Sequence, residues 1–206
     1  KNIRNSRSIG LIVLAILFGS LQAWGLSVTY TTSSGSPEAS GNTITGATAS
    51  FSDNTNQNNH TQMLASGNMT LTLTNLGGIN ISNITLSMKS NSSRGAGTLC
   101  YSTDGGSNWT YLVGSSGSGV NFNNASWYGS WETSYKNVSK DVTLNNVTQL
   151  KIKIDATVNS LYCQSFTLTY TAGAASTYTV TIAKNENSWG SVDKSSVTNV
   201  ANNTYI

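Results

Sequence analysis

Hydrophobic and polar positions alternate with a period of two along most of the chain, and no segment after residue 25 sustains a helical period. Leu26, Val28 and Tyr30 open a first predicted strand. Met69, Leu71 and Leu73 line one face of another, and Ile84, Leu86 and Met88 line a third. Weaker alternation marks Thr43–Thr45, Ala49–Phe51 and Gln62–Ala65. Thr98–Ser102 runs into Asp104-Gly105-Gly106, and Trp109, Tyr111 and Val113 run out. That pattern predicts a hairpin, because glycine accepts the positive φ values of tight turns. Val138–Leu144, Leu150–Ile154 and Phe166–Tyr170 complete the set, while Thr31–Ser40, Ser52–His60 and Gly114–Gly119 are polar and read as loops. About eight to ten short strands with turn signals between them predict an all-β fold, an antiparallel β-sandwich of jelly-roll type over 26–170. A domain of about 150 residues buries some 70% of its unfolded surface, enough for a true core.

The two ends of the chain break this pattern. Lys1, Arg4 and Arg7 precede an apolar run from Ile9 to Phe18, and the small residues Ala23 and Gly25 follow. This is the order of a secretory signal peptide, expected over 1–25 and removed by a peptidase. The apolar run is shorter than the roughly 20 residues needed to cross a bilayer, so no membrane span is expected once the leader is cleaved. Residues 171–177, Thr-Ala-Gly-Ala-Ala-Ser-Thr, read as a linker of small uncharged residues. Tyr178, Val180 and Ile182 then begin a second β module, 178–206, which is expected to continue beyond Ile206 because so short a unit lacks a core of its own.

Charge narrows the function classes. The chain has 11 Lys+Arg against 8 Asp+Glu, and three of those cations lie in the leader, leaving eight against eight. A nucleic-acid partner needs a basic stripe, and none remains. Lys151 and Lys153 share one face of one strand and read as a solvated edge. Charged residues are 9% of the chain, against about 25% in ordinary soluble domains. Ser, Thr, Asn and Gly take their place, as suits the exposed faces of a secreted or cell-surface β-protein.

Candidate chemistry is sparse. His60 is the single histidine, which excludes a His-rich zinc site, and no Ser sits in a G-x-S-x-G elbow. Glycoside hydrolysis needs two positioned carboxylates, and none of the eight is marked by its context. No catalytic residue is expected. Asp53 and its Asn-rich loop offer oxygens to Ca2+, with an ordinary polar loop as the alternative; no EF-hand spacing is present. Cys100 opposes Leu99 and Tyr101, and strict alternation sets Cys163 opposite Phe166, Leu168 and Tyr170. Both thiols would then lie on the polar sides of their strands. An outward disulfide follows if those strands are neighbours, and two free thiols if they are not.

The densest binding chemistry is aromatic. Trp127, Tyr128, Trp131 and Tyr135 crowd together with Asn121, Asn123, Asn124 and Glu132. Sugar rings stack their C–H faces on Trp and Tyr while amides and carboxylates bond hydroxyls. The competing reading is that some of these rings plug the end of the sandwich. Trp127 and Tyr128 are adjacent, so on a strand they point to opposite faces and one is exposed.

Ser102-Thr103-Asp104-Gly105-Gly106-Ser107-Asn108-Trp109 resembles the Asp-box, S-x-D-x-G-x-x-W, of sialidases and other β-proteins. The resemblance implies a stabilising turn, with Ser102, Asp104, Gly106 and Trp109 as its parts, and not a catalytic site. The stretches Ile84–Asn91, Gly97–Trp109, Trp131–Thr133, Val138–Leu144, Leu150–Ile154 and Phe166–Tyr170 together resemble secreted Bacteroidetes-type jelly-roll modules, galactose-binding-like in architecture. Their usual acidic pair before the last strand is replaced by Gln164 and Ser165. The tail, with Tyr178–Ile182, Trp189–Val192 and Ser195–Val197, resembles the start of an internalin-type B-repeat. These resemblances imply surface or secreted architecture and name no ligand. With the leader, the sandwich pattern, the linked second module and the aromatic cluster, the chain is expected to be a non-catalytic extracellular module whose partner is a glycan or surface polymer; the alternative is a structural spacer or adhesin stalk with its active domain further along.

Overall fold

The computed structural model describes residues 25–33, 35–53 and 60–173, together with the backbone of two later strands. The expected leader, the middle of the linker and most of the second module lie outside the described residues. The chain runs through β1 (Leu26–Thr31), β2 (Glu38–Gly41), β3 (Thr48–Asp53), β4 (Gln62–Met63) and β5 (Asn68–Thr74). It continues through β6 (Ile79–Ser90), β7 (Ala96–Ser102), β8 (Thr110–Val113), β9 (Val120–Asn121) and β10 (Lys136–Val147). Then come β11 (Leu150–Val158), β12 (Leu161–Thr171), β13 (Thr177–Thr181) and β14 (Ser196–Ala201). One antiparallel sheet has the order β10-β6-β12-β1-β2, with β4 on the end of β12. The other has the order β3-β5-β11-β7-β8, with β9 on β7. β13 and β14 pair with each other.

Period-two alternation produces this sandwich directly. Met69, Leu71 and Leu73 of β5 and Leu150, Ile152 and Ile154 of β11 face Ile84, Leu86 and Met88 of β6 and Phe166, Leu168 and Tyr170 of β12 in one core. Burying each such side chain contributes about 1.5–3 kcal/mol. The intervening Ser, Thr and Asn face outward. The chain crosses between sheets from β5 to β6, from β6 to β7, and again on either side of β11, as winding of the jelly-roll kind requires.

Several expectations need correction. β2 lies inside the stretch read as loop; all four of its residues are exposed, so no apolar rhythm marks it. Thr43–Thr45 is not a strand but part of a turn, closed by Ala47 N–H on Ile44 O at 3.1 Å with Gly46 at φ 78. Residues 114–119 form a tight turn in which Ser115 and Ser118 exchange backbone bonds of 3.1 and 3.0 Å. Lys151 and Lys153 stand on β11, which lies between β5 and β7 and is no edge.

The cysteine reading is overturned by one bulge. The register of β12 against β6 slips between Cys163 and Ser165, so Cys163 and Phe166 both point inward and both are fully buried. Cys100 lies on the outer face of β7 but beneath its cross-strand neighbours Lys153 and Tyr111. The two strands belong to opposite sheets, which stand about 10 Å apart, beyond the ~4.4–6.8 Å Cα separation of a disulfide. Both cysteines are free and buried. Burial pushes the Cys100 thiol up to about 11 and the Cys163 thiol higher still. Neither thiol forms thiolate near neutral pH, so iodoacetamide at pH 8 should leave both unmodified in the folded protein and alkylate both after unfolding without reductant. Rapid labelling of the native chain, or an intact mass two protons short, would contradict this burial.

Candidate functional site

The ladder registers place the loops at two opposite ends of the sandwich. β6 and β11 finish, and β7, β10 and β12 begin, at one end: Leu161 pairs with Ser90, Val158 with Ala96, and Lys136 with Met88. At the other end lie Leu26 opposite Tyr170, Val147 opposite Ile79, and Leu150 opposite Leu73. The aromatic segment, the 91–95 loop, the 158–160 turn and the 64–67 turn share the first end.

The aromatic segment divides into a rooted half and a free half. Phe122 is buried, with its N–H on Gly95 O at 2.8 Å. Trp127 is only 3% exposed, packs 5.9 Å from the Phe122 ring, and donates its Nε1–H to Val120 O at 2.9 Å. Trp127 is therefore a core plug, which corrects its reading as a ligand contact. Tyr128 stacks with its ring centre 6.5 Å from that of Phe122 and is 39% exposed. Trp131 is 47% exposed and next to Glu132, whose carbonyl accepts the Ser90 N–H at 3.2 Å. Tyr128, Trp131 and Val158 are the large hydrophobic side chains exposed among the described residues, and all three lie at this end.

The polar residues of the segment serve its own turns first. Asn124 accepts the Ser126 N–H on its side chain at 2.8 Å, and its backbone carbonyl accepts those of Trp127 and Gly129. Asn121 and Asn123 donate their amides to Ser93 O at 3.0 and 3.2 Å. Glu132 accepts the Ser130 hydroxyl at 3.0 Å. These bonds hold the loop in one shape. Tyr135 stands apart from Tyr128 and Trp131 in role: the Lys89 ammonium lies 4.9 Å from its ring and 4.8 Å from that of Tyr162. Two such cation–π contacts contribute about 0.5–1 kcal/mol each at an exposed site.

Between the turns lies an open cleft of about 410 Å³, lined by Leu64, Ala65, Asn91, Ser92, Asn159 and Ser160. Asn91 reaches the Tyr162 hydroxyl at 3.4 Å, which joins the cleft to the Lys89 stack. The hydroxyls of Ser126 and Thr157 are buried at this end without a hydrogen-bond partner among the described residues. None of the cleft residues was singled out from the sequence. They come from three distant turns, and Asn and Ser in turns carry no signal of their own.

The eight-residue turn Ser102–Trp109 sits at the opposite end. Ser102 donates its hydroxyl to Asp104 Oδ1 at 2.7 Å and accepts the Gly106 N–H at 2.9 Å. Asp104 accepts the backbone N–H and side-chain amide of Asn108 at 2.9 and 2.6 Å. The backbone N–H of Asn108, then the Ser102 hydroxyl, hold the Asp104 carboxyl well below the usual carboxylate range. Gly105 and Gly106 take φ of 77 and 100. Trp109 folds back over Gly106, with the Lys153 ammonium 4.8 Å from its ring. Both carboxylate oxygens of Asp104 are used within the turn.

Other carboxylates are likewise dispersed. Asp53 Oδ2 meets His60 Nδ1 at 2.6 Å, Asp141 accepts the Asn83 amide at 2.8 Å, and Asp155 pairs with Lys153 at 3.2 Å. The Asn residues expected to join Asp53 around Ca2+ lie at 54–59, outside the described residues. Among the described residues no three His, Cys, Asp or Glu side chains gather as a metal site, and no helix is long and apolar enough to cross a membrane.

No family model and no curated protein matches the chain. Among solved structures it is similar to a family two carbohydrate esterase from Cellvibrio japonicus, at 10% identity and a TM-score of 0.36. The alignment covers 72% of this chain but only 36% of that one, so the chain spans about a third of the esterase's length. The β-sandwich itself is established by the strand pairing and the shared core described above.

Proposed function

We propose that this chain is an exported, non-catalytic module that binds extracellular glycan through the loop end bearing Tyr128 and Trp131. One observation carries the reading: the exposed large apolar side chains of the described residues gather at a single end, beside a cleft of amides and hydroxyls. Apolar rings with a few placed polar groups are what a small-molecule site needs. Sugars present both kinds of surface, C–H faces for the rings and hydroxyls for Asn91, Ser92, Asn159 and Ser160. The loop is pinned by Trp127 and by its own Asn bonds, so little ordering entropy is lost when a ligand arrives. The leader supports export, and the dispersed carboxylates support a role without hydrolysis. Tyr135 and Glu132 contribute to the rim, while Trp127 and Asn124 hold its shape.

A glycan array followed by pull-down on insoluble polysaccharides tests this. Trp131→Ala should weaken binding by about 2 kcal/mol, roughly thirtyfold, as loss of a central aromatic contact does. Its unfolding midpoint should stay put, since the ring is exposed. Binding indifferent to both Trp131→Ala and Tyr128→Ala would displace the site. No binding at all would favour the second reading, a spacer, whose own support is the succession of a sandwich and a further strand pair along one chain.

A further inference from the structure

We infer that the module recognises glycans end-on, taking the terminal one or two sugar units of a chain or branch and not a long internal stretch. This rests on the glycan reading above and specifies its ligand class. A binder of extended chains needs a stacking platform running along a sheet face. Neither outer face offers one. Across the first sheet, cross-strand partners Ser40, Thr29, Thr167, Thr85 and Ser139 form a rank of hydroxyls in register. Their hydroxyls also bond each other, Thr29 to Thr167 at 2.8 Å and Thr85 to Ser139 at 3.1 Å. On the second sheet the outward aromatics Trp109 and Tyr111 are both half-buried, and the Lys153 ammonium lies over the Trp109 ring. On the first, Tyr162 is already paired with Lys89. Among the described residues, the large rings that are exposed, Tyr128 and Trp131, therefore lie at the tip.

The chain both enters and leaves the sandwich away from that tip. It enters the sandwich beside Leu26, opposite Tyr170, and leaves through Thr171 to Gly173 at the same end. Gly173 is held so tightly against the backbone carbonyl of Gly78 that no Cβ would fit there. Both connections thus emerge at the end opposite Tyr128 and Trp131. A site so placed meets whatever protrudes toward it. The cleft volume, about 410 Å³, falls in the lower part of the range of about 300–1,000 Å³ for single small-molecule sites, which matches a sugar unit or two.

Titration calorimetry of the full chain with glucose, galactose, mannose and xylose, and with their disaccharides and hexasaccharides, tests the inference. Affinity should change less than about threefold from disaccharide to hexasaccharide, with one protein bound per chain, and Trp131→Ala should weaken every length alike. Thr85→Ala with Ser139→Ala should alter nothing. Affinity climbing more than about tenfold with length, several proteins per hexasaccharide, or binding to insoluble polymer with none of the soluble sugars would overturn end-on recognition and leave the glycan reading intact. Absence of binding to sugars and polymers alike would overturn both.

Discussion

Trp127→Ala should destabilise the sandwich by about 3–5 kcal/mol, the cost of removing a large aromatic from a packed interior. The side chain is 3% exposed and closes the end of the core over Phe122. Its Nε1–H also satisfies the carbonyl of Val120, the first residue of β9. Truncation therefore removes a ring, opens a cavity and strands an acceptor, and the partial collapse of the 122–131 loop would carry Tyr128 with it. Denaturant unfolding of the full chain followed by tyrosine fluorescence measures the loss. Trp127→Phe separates the contributions: it keeps most of the ring, loses the hydrogen bond, and should cost roughly 1–2 kcal/mol. Trp131→Ala should shift stability by less than about 0.5 kcal/mol. If Trp127→Ala unfolded at the same midpoint as the unsubstituted chain, the ring would not be a core plug.

The contrast between Trp127 and Trp131 marks how far the sequence carries. Strands whose apolar residues alternate without interruption, such as Met69-Leu71-Leu73 on β5 and Leu150-Ile152-Ile154 on β11, were legible because one face must be buried. The hairpin turn at Asp104-Gly105-Gly106 was legible because its chemistry is local and complete within eight residues. Alternation fails where the backbone adds a residue. The bulge at Cys163–Ser165 reverses the face of everything before it, and nothing in Cys-Gln-Ser announces a bulge. Alternation also fails at β2, an exposed edge with no buried face to report. In the aromatic segment adjacency sets Trp127 and Tyr128 on opposite faces only on a strand, and residues 122–130 form turns instead. Which ring is buried was decided by Phe122 and Val120, contacts made by the turns around them. The cleft beside them was invisible, since Leu64, Asn91 and Asn159 meet only when three turns fold to one end.

Gly97→Val should be the most damaging small substitution in the sandwich, costing about 3 kcal/mol or more, beyond the 1–3 typical of an overfilled core. Gly97 is buried in β7, opposite Ala156 on one side and Val120 on the other. A Cβ there would collide with the backbone carbonyl of Asp155 and lie 2.7 Å from Leu161 Cδ1, which reaches across from the other sheet. Neither obstacle yields cheaply: the carbonyl belongs to a central strand, and Leu161 is fully buried where β12 begins. No positive φ is involved, so the effect is one of space alone, and Gly97→Ala should already show most of it. The consequence reaches the proposed binding end, because β9, Leu161 and the Ser160 turn are all anchored around this glycine. A valine variant that still folds should therefore lose glycan binding as well as stability, although it touches none of the ligand-facing side chains. Thermal unfolding of Gly97→Ala and Gly97→Val beside Ser50→Ala on the exposed face of β3 provides the comparison, with the serine variant expected within about 0.5 kcal/mol of the unsubstituted chain. Equal stability across all three would mean that the sheets do not close on one another at Gly97.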